Sequence, residues 1–122
     1  MSDYASRRIS EAELSVMEAL WDAGTPMTAK ELQETLKVTR GWERTTVRSL
    51  LTRLAEKGSV SVDKTADVAA YAAGFTRDEY GWDLTEVLVS RLYDGDAKAL
   101  TAALCRHGCL DQRDLSDLEF HM

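Results

Sequence analysis

The sequence predicts a mainly α chain with one small β-hairpin, in the order helix, helix, helix, strand, strand, helix, helix, helix. Three observations predict it. A helix-start signature recurs at Ser10/Glu13, Thr28/Glu31, Thr76/Glu79 and, more weakly, Asp111/Asp114, each able to close a reciprocal capping box. Apolar residues fall at helical spacing over most of the length. Between these stretches Val60 and Val62 alternate with Ser59, Ser61 and Asp63, which is the period of a strand.

The first helix runs from about Glu11 to Ala23. Ile9 and Leu14 staple its start, Leu14, Met17, Leu20 and Trp21 mark its buried stripe, and Gly24 stops it. After Thr25-Pro26 a second helix covers about Ala29 to Lys37, with Leu32 and Leu36 inward. Val38–Trp42 is a turn around Gly41. A third helix spans about Arg44 to Lys57 and ends at Gly58. Its Val47, Leu50, Leu51 and Leu54 have the i, i+3, i+4, i+7 spacing of a core-facing stripe. Lys64–Asp67 turns between the Val60 strand and a second strand within Val68–Phe75. Helices return at about Arg77–Tyr93, after the Asp94-Gly95-Asp96 break from Ala97 to about His107, and from about Gln112.

The first five elements match a winged helix-turn-helix over residues 1–75. The last three, over residues 76–122, carry too few apolar residues for a core of their own. Such helices pack on a partner subunit, so the region is expected to make a homodimer. Its interface residues would be Tyr80, Leu84, Val87, Leu88, Leu92, Leu100, Leu104, Leu115 and Leu118.

Composition narrows the function. A hydrophobic share of 44% beside 30% charged residues describes a folded chain. No apolar run approaches the roughly 20 residues of a membrane helix. Met1–Arg8 lacks the apolar stretch of a signal peptide, so the expected location is the cytoplasm, away from membranes. The net charge of −6 argues against DNA, but residues 1–58 hold nine basic and nine acidic residues, so the whole excess lies in 59–122. Within 40–57, Arg40, Arg44, Arg48, Arg53 and Lys57 outweigh Glu43 and Glu56. A local basic stripe, rather than the total, is the footprint of a nucleic-acid surface.

On a helical wheel the third helix turns Thr45, Ser49 and Thr52 away from its apolar stripe, flanked by Arg48 and Arg53. Hydroxyls bond base edges or phosphates, and Arg grips guanine O6 and N7 with two bonds. Thr28, Arg40, Trp42, Arg44 and Lys57 are the candidates for DNA backbone contacts, which set register without reading sequence. In a helix-turn-helix the second motif helix enters the major groove of double-stranded DNA, and here that is the third helix.

Ile9-Ser10-Glu11-Ala12-Glu13, Val16-Met17 and Leu20-Trp21 resemble the opening of the penicillinase and methicillin-resistance repressors and the related copper-transport repressors. Met27-Thr28-Ala29-Lys30-Glu31-Leu32 is similar to that family's second helix. Trp42 to Leu54, followed by Lys57-Gly58, is similar to its recognition helix, and Thr76-Arg77-Asp78-Glu79-Tyr80 to the start of its dimerisation segment. The resemblance implies a dimeric repressor on a dyad operator, often with TACA/TGTA-type half-sites. It implies readout by Thr46, Arg48, Ser49, Thr52 and Arg53, with Trp42 near the backbone or packed under the helix.

The sequence departs from the family in four places. Glu43 stands where the family often has a capping Ser. The family's wing carries Gly-Arg before its aromatic strand, whereas Ala66-Asp67-Val68-Ala69-Ala70-Tyr71 has lost that cation. The Asn-Phe pair cut in antibiotic-responsive members reads Ala103-Leu104. The paired Cys-x-Cys motifs of copper-responsive members are reduced to Cys105-Arg106-His107-Gly108-Cys109.

Cys105 and Cys109 are expected as reduced thiols. With His107 they are the one candidate metal site, for Zn or Cu(I), with a dimer supplying a fourth ligand and His121 or Met122 adding to the set. The plainer reading makes the thiols core filler and leaves the protein without a cofactor. The alternative functions are a winged-helix module that binds protein instead of DNA and a Cu- or Zn-responsive repressor that uses Cys105, His107 and Cys109. An enzyme is not expected: there is no Gly-rich phosphate loop or metallohydrolase spacing, and His107 and His121 lack a Ser or Asp arrangement. The sequence does not identify the releasing signal or any upstream sensor protein.

Overall fold

The computed structural model describes residues 8–121. Apart from Arg8, the N-terminal stretch read for a signal peptide lies outside the described residues, as do Met122 and the side chain of His121. The elements are α1 (Glu11–Ala23), β1 (Met27–Thr28), α2 (Ala29–Arg40), α3 (Arg44–Lys57), β2 (Val60–Asp63), β3 (Ala70–Ala73), α4 (Arg77–Leu92), α5 (Ala97–Arg106) and α6 (Gln112–His121). No helix among the described residues is long and apolar enough to cross a membrane.

All four capping boxes form. At α1 the Ser10 amide donates to Glu13 Oε1 at 2.6 Å and the Glu13 amide to Ser10 Oγ at 3.1 Å. The same exchange closes Thr28/Glu31, Thr76/Glu79 and Asp111/Asp114. Each satisfies two amides that a helix start would leave without partners. At the Asp94-Gly95-Asp96 break α5 has a cap of its own: the Asp96 carboxylate accepts from the Lys98 and Ala99 amides.

Two boundaries and one strand differ from expectation. α2 continues to Arg40, where Gly41 at φ 69° takes the left-handed cap and its amide reaches Leu36 O and Lys37 O. The turn to α3 is therefore only Gly41-Trp42-Glu43. The second hairpin strand is shorter than expected, Ala70–Ala73. The unexpected strand is β1, whose Met27 pairs with Tyr71 and Thr28 with Ala70, giving a three-stranded antiparallel sheet in the order β1-β3-β2. On the other edge Val60 faces Ala73 and Val62 faces Tyr71.

The chain divides into two compact units at Asp83/Leu84. In the first, Val16, Met17 and Leu20 of α1, Leu32 and Leu36 of α2, and Val47, Leu50, Leu51 and Leu54 of α3 form the core with Val60, Phe75 and Tyr80. Burying each large aliphatic side chain contributes about 1.5–3 kcal/mol. Gly74 lets β3 approach the end of α3: a Cβ there would lie 3.0 Å from both Gly58 O and Ser59 O.

Tyr80, expected in the dimer interface, belongs to this core instead. It stacks on Phe75 with ring centroids 5.8 Å apart and lies 6.2 Å from Trp21. The first unit therefore reaches beyond residue 75, the boundary expected from sequence. In the second unit Ala103 is buried and Val87, Leu100, Leu104 and Leu115 are half-buried. Leu84, Leu88, Leu92 and Leu118 are exposed.

Candidate nucleic-acid interface

α3 positions the candidate surface. Its buried stripe of Val47, Leu50, Leu51 and Leu54 fixes the helix roll, because these four side chains are at most 2% exposed. Rotating the helix would bring them into water. The opposite face then has no choice: Thr45, Thr46, Arg48, Ser49, Thr52 and Arg53 are all exposed. The structure brings these six expected base-reading residues onto one helix.

Among the described residues, Arg44, Arg48 and Arg53 have no ion-pair partner, so their guanidinium groups remain available to an outside anion. Thr52 Oγ1 donates to Arg48 O at 3.0 Å, which leaves its lone pairs as acceptors. Glu56 is exposed one helical turn beyond Thr52 and places a carboxylate at the C-terminal end of the same face. Favourable contact with a polyanion is therefore concentrated in the first three turns.

The expected backbone contacts divide. Arg44 and Arg40 are exposed, and Arg40 makes only a loose ion pair with Glu18, at 3.9 Å between half-exposed side chains. Trp42 is half-buried and packs against the core. Thr28 Oγ1 already accepts from the Glu31 amide at 3.2 Å as the α2 cap. The reciprocal bond, from the Thr28 amide to Glu31 Oε1 at 2.9 Å, is the largest cause that holds the Glu31 carboxyl below its usual range, and the Thr28 hydroxyl is the second.

Lys57 is engaged within the protein. Its Nζ lies 2.6 Å from Glu13 Oε1 and 3.2 Å from Arg8 O. Glu13 is 1% exposed although charged. Burial pushes its carboxyl up, but bonds from Lys57 and from Ser10 outweigh burial and leave it below the ordinary 4.5.

Sequence reasoning missed a cation in the wing. The family's Arg would stand after the turn, and Ala66–Tyr71 holds no cation. Lys64 is exposed in the β2–β3 loop itself, beside an Asp63 carboxylate that accepts from the Thr65 amide and hydroxyl at 2.9 and 2.7 Å. The signal was a Lys at the first position of a four-residue turn.

Cys105 is half-buried near the end of α5, and Cys109 is exposed beyond the Gly108 turn. Among the described residues no group of three or more His, Cys, Asp or Glu is arranged to hold a metal ion. Cys105, His107 and Cys109 are thus not gathered into ligand geometry within one chain.

The profile of the penicillinase repressor family matches residues 9–121. The penicillinase repressor of Bacillus licheniformis is 25% identical over 111 residues, 91% of this chain and 86% of that protein. The methicillin resistance regulatory protein MecI of Mammaliicoccus sciuri is 24% identical over 116 residues, 95% and 94% of the two chains. Among solved structures, the DNA-binding domain of the repressor BlaI superposes with a TM-score of 0.55 at 29% identity, covering 66% of this chain and 94% of that one. Monomeric Bacillus licheniformis BlaI, solved in complex with the blaP half-operator, gives 0.53 at 30% identity, covering 60% and 88%. Because the family's profile continues past the three-helix core and through the helices that follow, the chain belongs to the penicillinase repressor family.

Proposed function

We propose that this chain is a sequence-specific DNA-binding transcription repressor that acts in the cytoplasm as a homodimer on a dyad operator. One observation carries the reading. The exposed face of α3 presents the hydroxyl residues Thr45, Thr46, Ser49 and Thr52 together with Arg48 and Arg53, with both guanidinium groups free of ion pairs among the described residues. Such a face has few internal reasons to exist and matches the acceptors of the major groove. α2, the Gly41 turn and α3 supply the helix-turn-helix that inserts it. A solved protein 30% identical to this chain is in complex with a half-operator, which supports DNA as the partner.

Arg48, Ser49, Thr45, Thr46, Thr52 and Arg53 read bases in this proposal, and Arg40 and Arg44 touch phosphates. Lys64 in the wing adds a phosphate contact. The exposed Leu84, Leu88 and Leu92 recur every fourth residue along α4, a ridge suited to a second copy of the chain.

The test uses duplexes selected from a random pool by the wild-type protein. Arg48→Ala and Arg53→Ala each weaken binding by about 5- to 150-fold, the range of a lost bidentate base contact, while light scattering shows an unchanged oligomer. If both variants bind like wild type, α3 is not the reading helix.

A further inference from the structure

The N-terminus of α3 carries an acidic side chain with nothing to do inside the protein. Glu43 occupies the N-cap position, at φ −77° and ψ 161°, but its side chain makes no capping bond. α1 and α2 are both closed by full capping boxes. Glu43 is exposed and, among the described residues, in no ion pair. It immediately precedes Arg44, Thr45 and Thr46, the first exposed residues of the helix.

We propose that Glu43 is a specificity-determining residue that selects a C·G base pair at the half-site position facing the start of α3. This inference rests on the reading of α3 as the major-groove helix. In that docking the N-terminal residues of the helix meet the base edges first. An ionised carboxylate is an acceptor only. In the groove it is repelled by guanine O6 and N7 and by thymine O4, and at adenine it meets N7 beside the single N6 donor. Cytosine offers its N4 amino group without a neighbouring acceptor on the same base. Near phosphates the same carboxylate is repelled unless it finds such a donor, so a wrong base is penalised as well as unrewarded.

The experiment repeats the random-duplex selection with the full chain as wild type, Glu43→Ser and Glu43→Gln. Wild type is expected to enrich cytosine at one fixed position in each half-site. Glu43→Ser is expected to lose that preference by about tenfold while keeping the bases read further along α3. Glu43→Gln, which presents a donor beside its acceptor, is expected to turn the preference toward adenine. A dyad sequence recovered identically with wild type and Glu43→Ser would overturn this inference and leave the repressor reading standing. Failure of the wild-type chain to select any sequence would overturn the repressor reading and this inference with it.

Discussion

Lys57 sits on the basic stripe of the sequence, yet its ammonium is held by a carboxylate that is 1% exposed. One oxygen of Glu13 accepts from both Ser10 and Lys57, and the other is buried with no hydrogen-bond partner among the described residues. Removing the lysine would leave a buried charge with less compensation. Because Lys57 itself is 38% exposed, the loss in Lys57→Met is expected at the low end of the buried-pair range, about 3 kcal/mol, read from urea denaturation. If DNA affinity is then measured on the folded variant, its salt dependence keeps the wild-type slope, since the slope counts phosphate contacts. A slope shallower by about one would return Lys57 to the phosphate contacts. Glu13 also sets an acid limit. Its carboxyl lies below 4.5 in the folded state, so its contribution is present above that value and is lost as pH falls through the folded pKa. Glu13→Gln is expected to flatten the decline of the urea midpoint below about pH 4.5, measured against wild type.

At the scale of elements, α3 breaks the capping rule that α1, α2, α4 and α6 obey. A helix start without a side-chain acceptor leaves amides to water and forgoes about 1 kcal/mol. Glu43→Ser is therefore expected to raise the unfolding free energy by about that amount, in denaturant at neutral pH. A Glu43 that served folding would give the opposite sign. The buried side of the same helix has no such freedom: Leu50 is 1% exposed, and truncation to Ala there would cost about 2–5 kcal/mol. Local stability and the reading surface are thus separated across one helix. The turn between α2 and α3 is only three residues long, and its Gly41 adopts φ 69° at no steric cost. It fixes the angle at which α3 leaves α2.

For the molecule as a whole, the proposal asks each of the two units for a separate task. The first buries a continuous core drawn from three helices, the sheet and the start of α4. The second buries little: Leu92 is 73% and Phe120 87% exposed. Apolar surface of that kind is stabilised by a second copy in the homodimer reading. Leu88→Asp combined with Leu92→Asp is expected to give a monomer by sedimentation, with the first unit still folded. Binding to a full dyad is then expected to fall by about 100-fold or more, because two linked sites become independent, while binding to a single half-site changes little. A double variant that stays dimeric would remove the α4 ridge from the interface.

The sequence by itself determined the capped helix starts, the α3 boundaries and the polarity of the α3 faces. These depend on residues within about four positions of one another, and such interactions act before the chain has a tertiary fold. It did not reveal β1, because two residues show no period and Met27 and Thr28 become a strand only when Tyr71 and Ala70 arrive beside them. Nor did it place Tyr80, whose ring meets Trp21 and Phe75, or Lys57, whose partner lies 44 positions away. Tertiary structure alone decided which charges were held inside and which remained outside. A salt bridge is made by proximity in space, and periodicity along the chain carries no record of it.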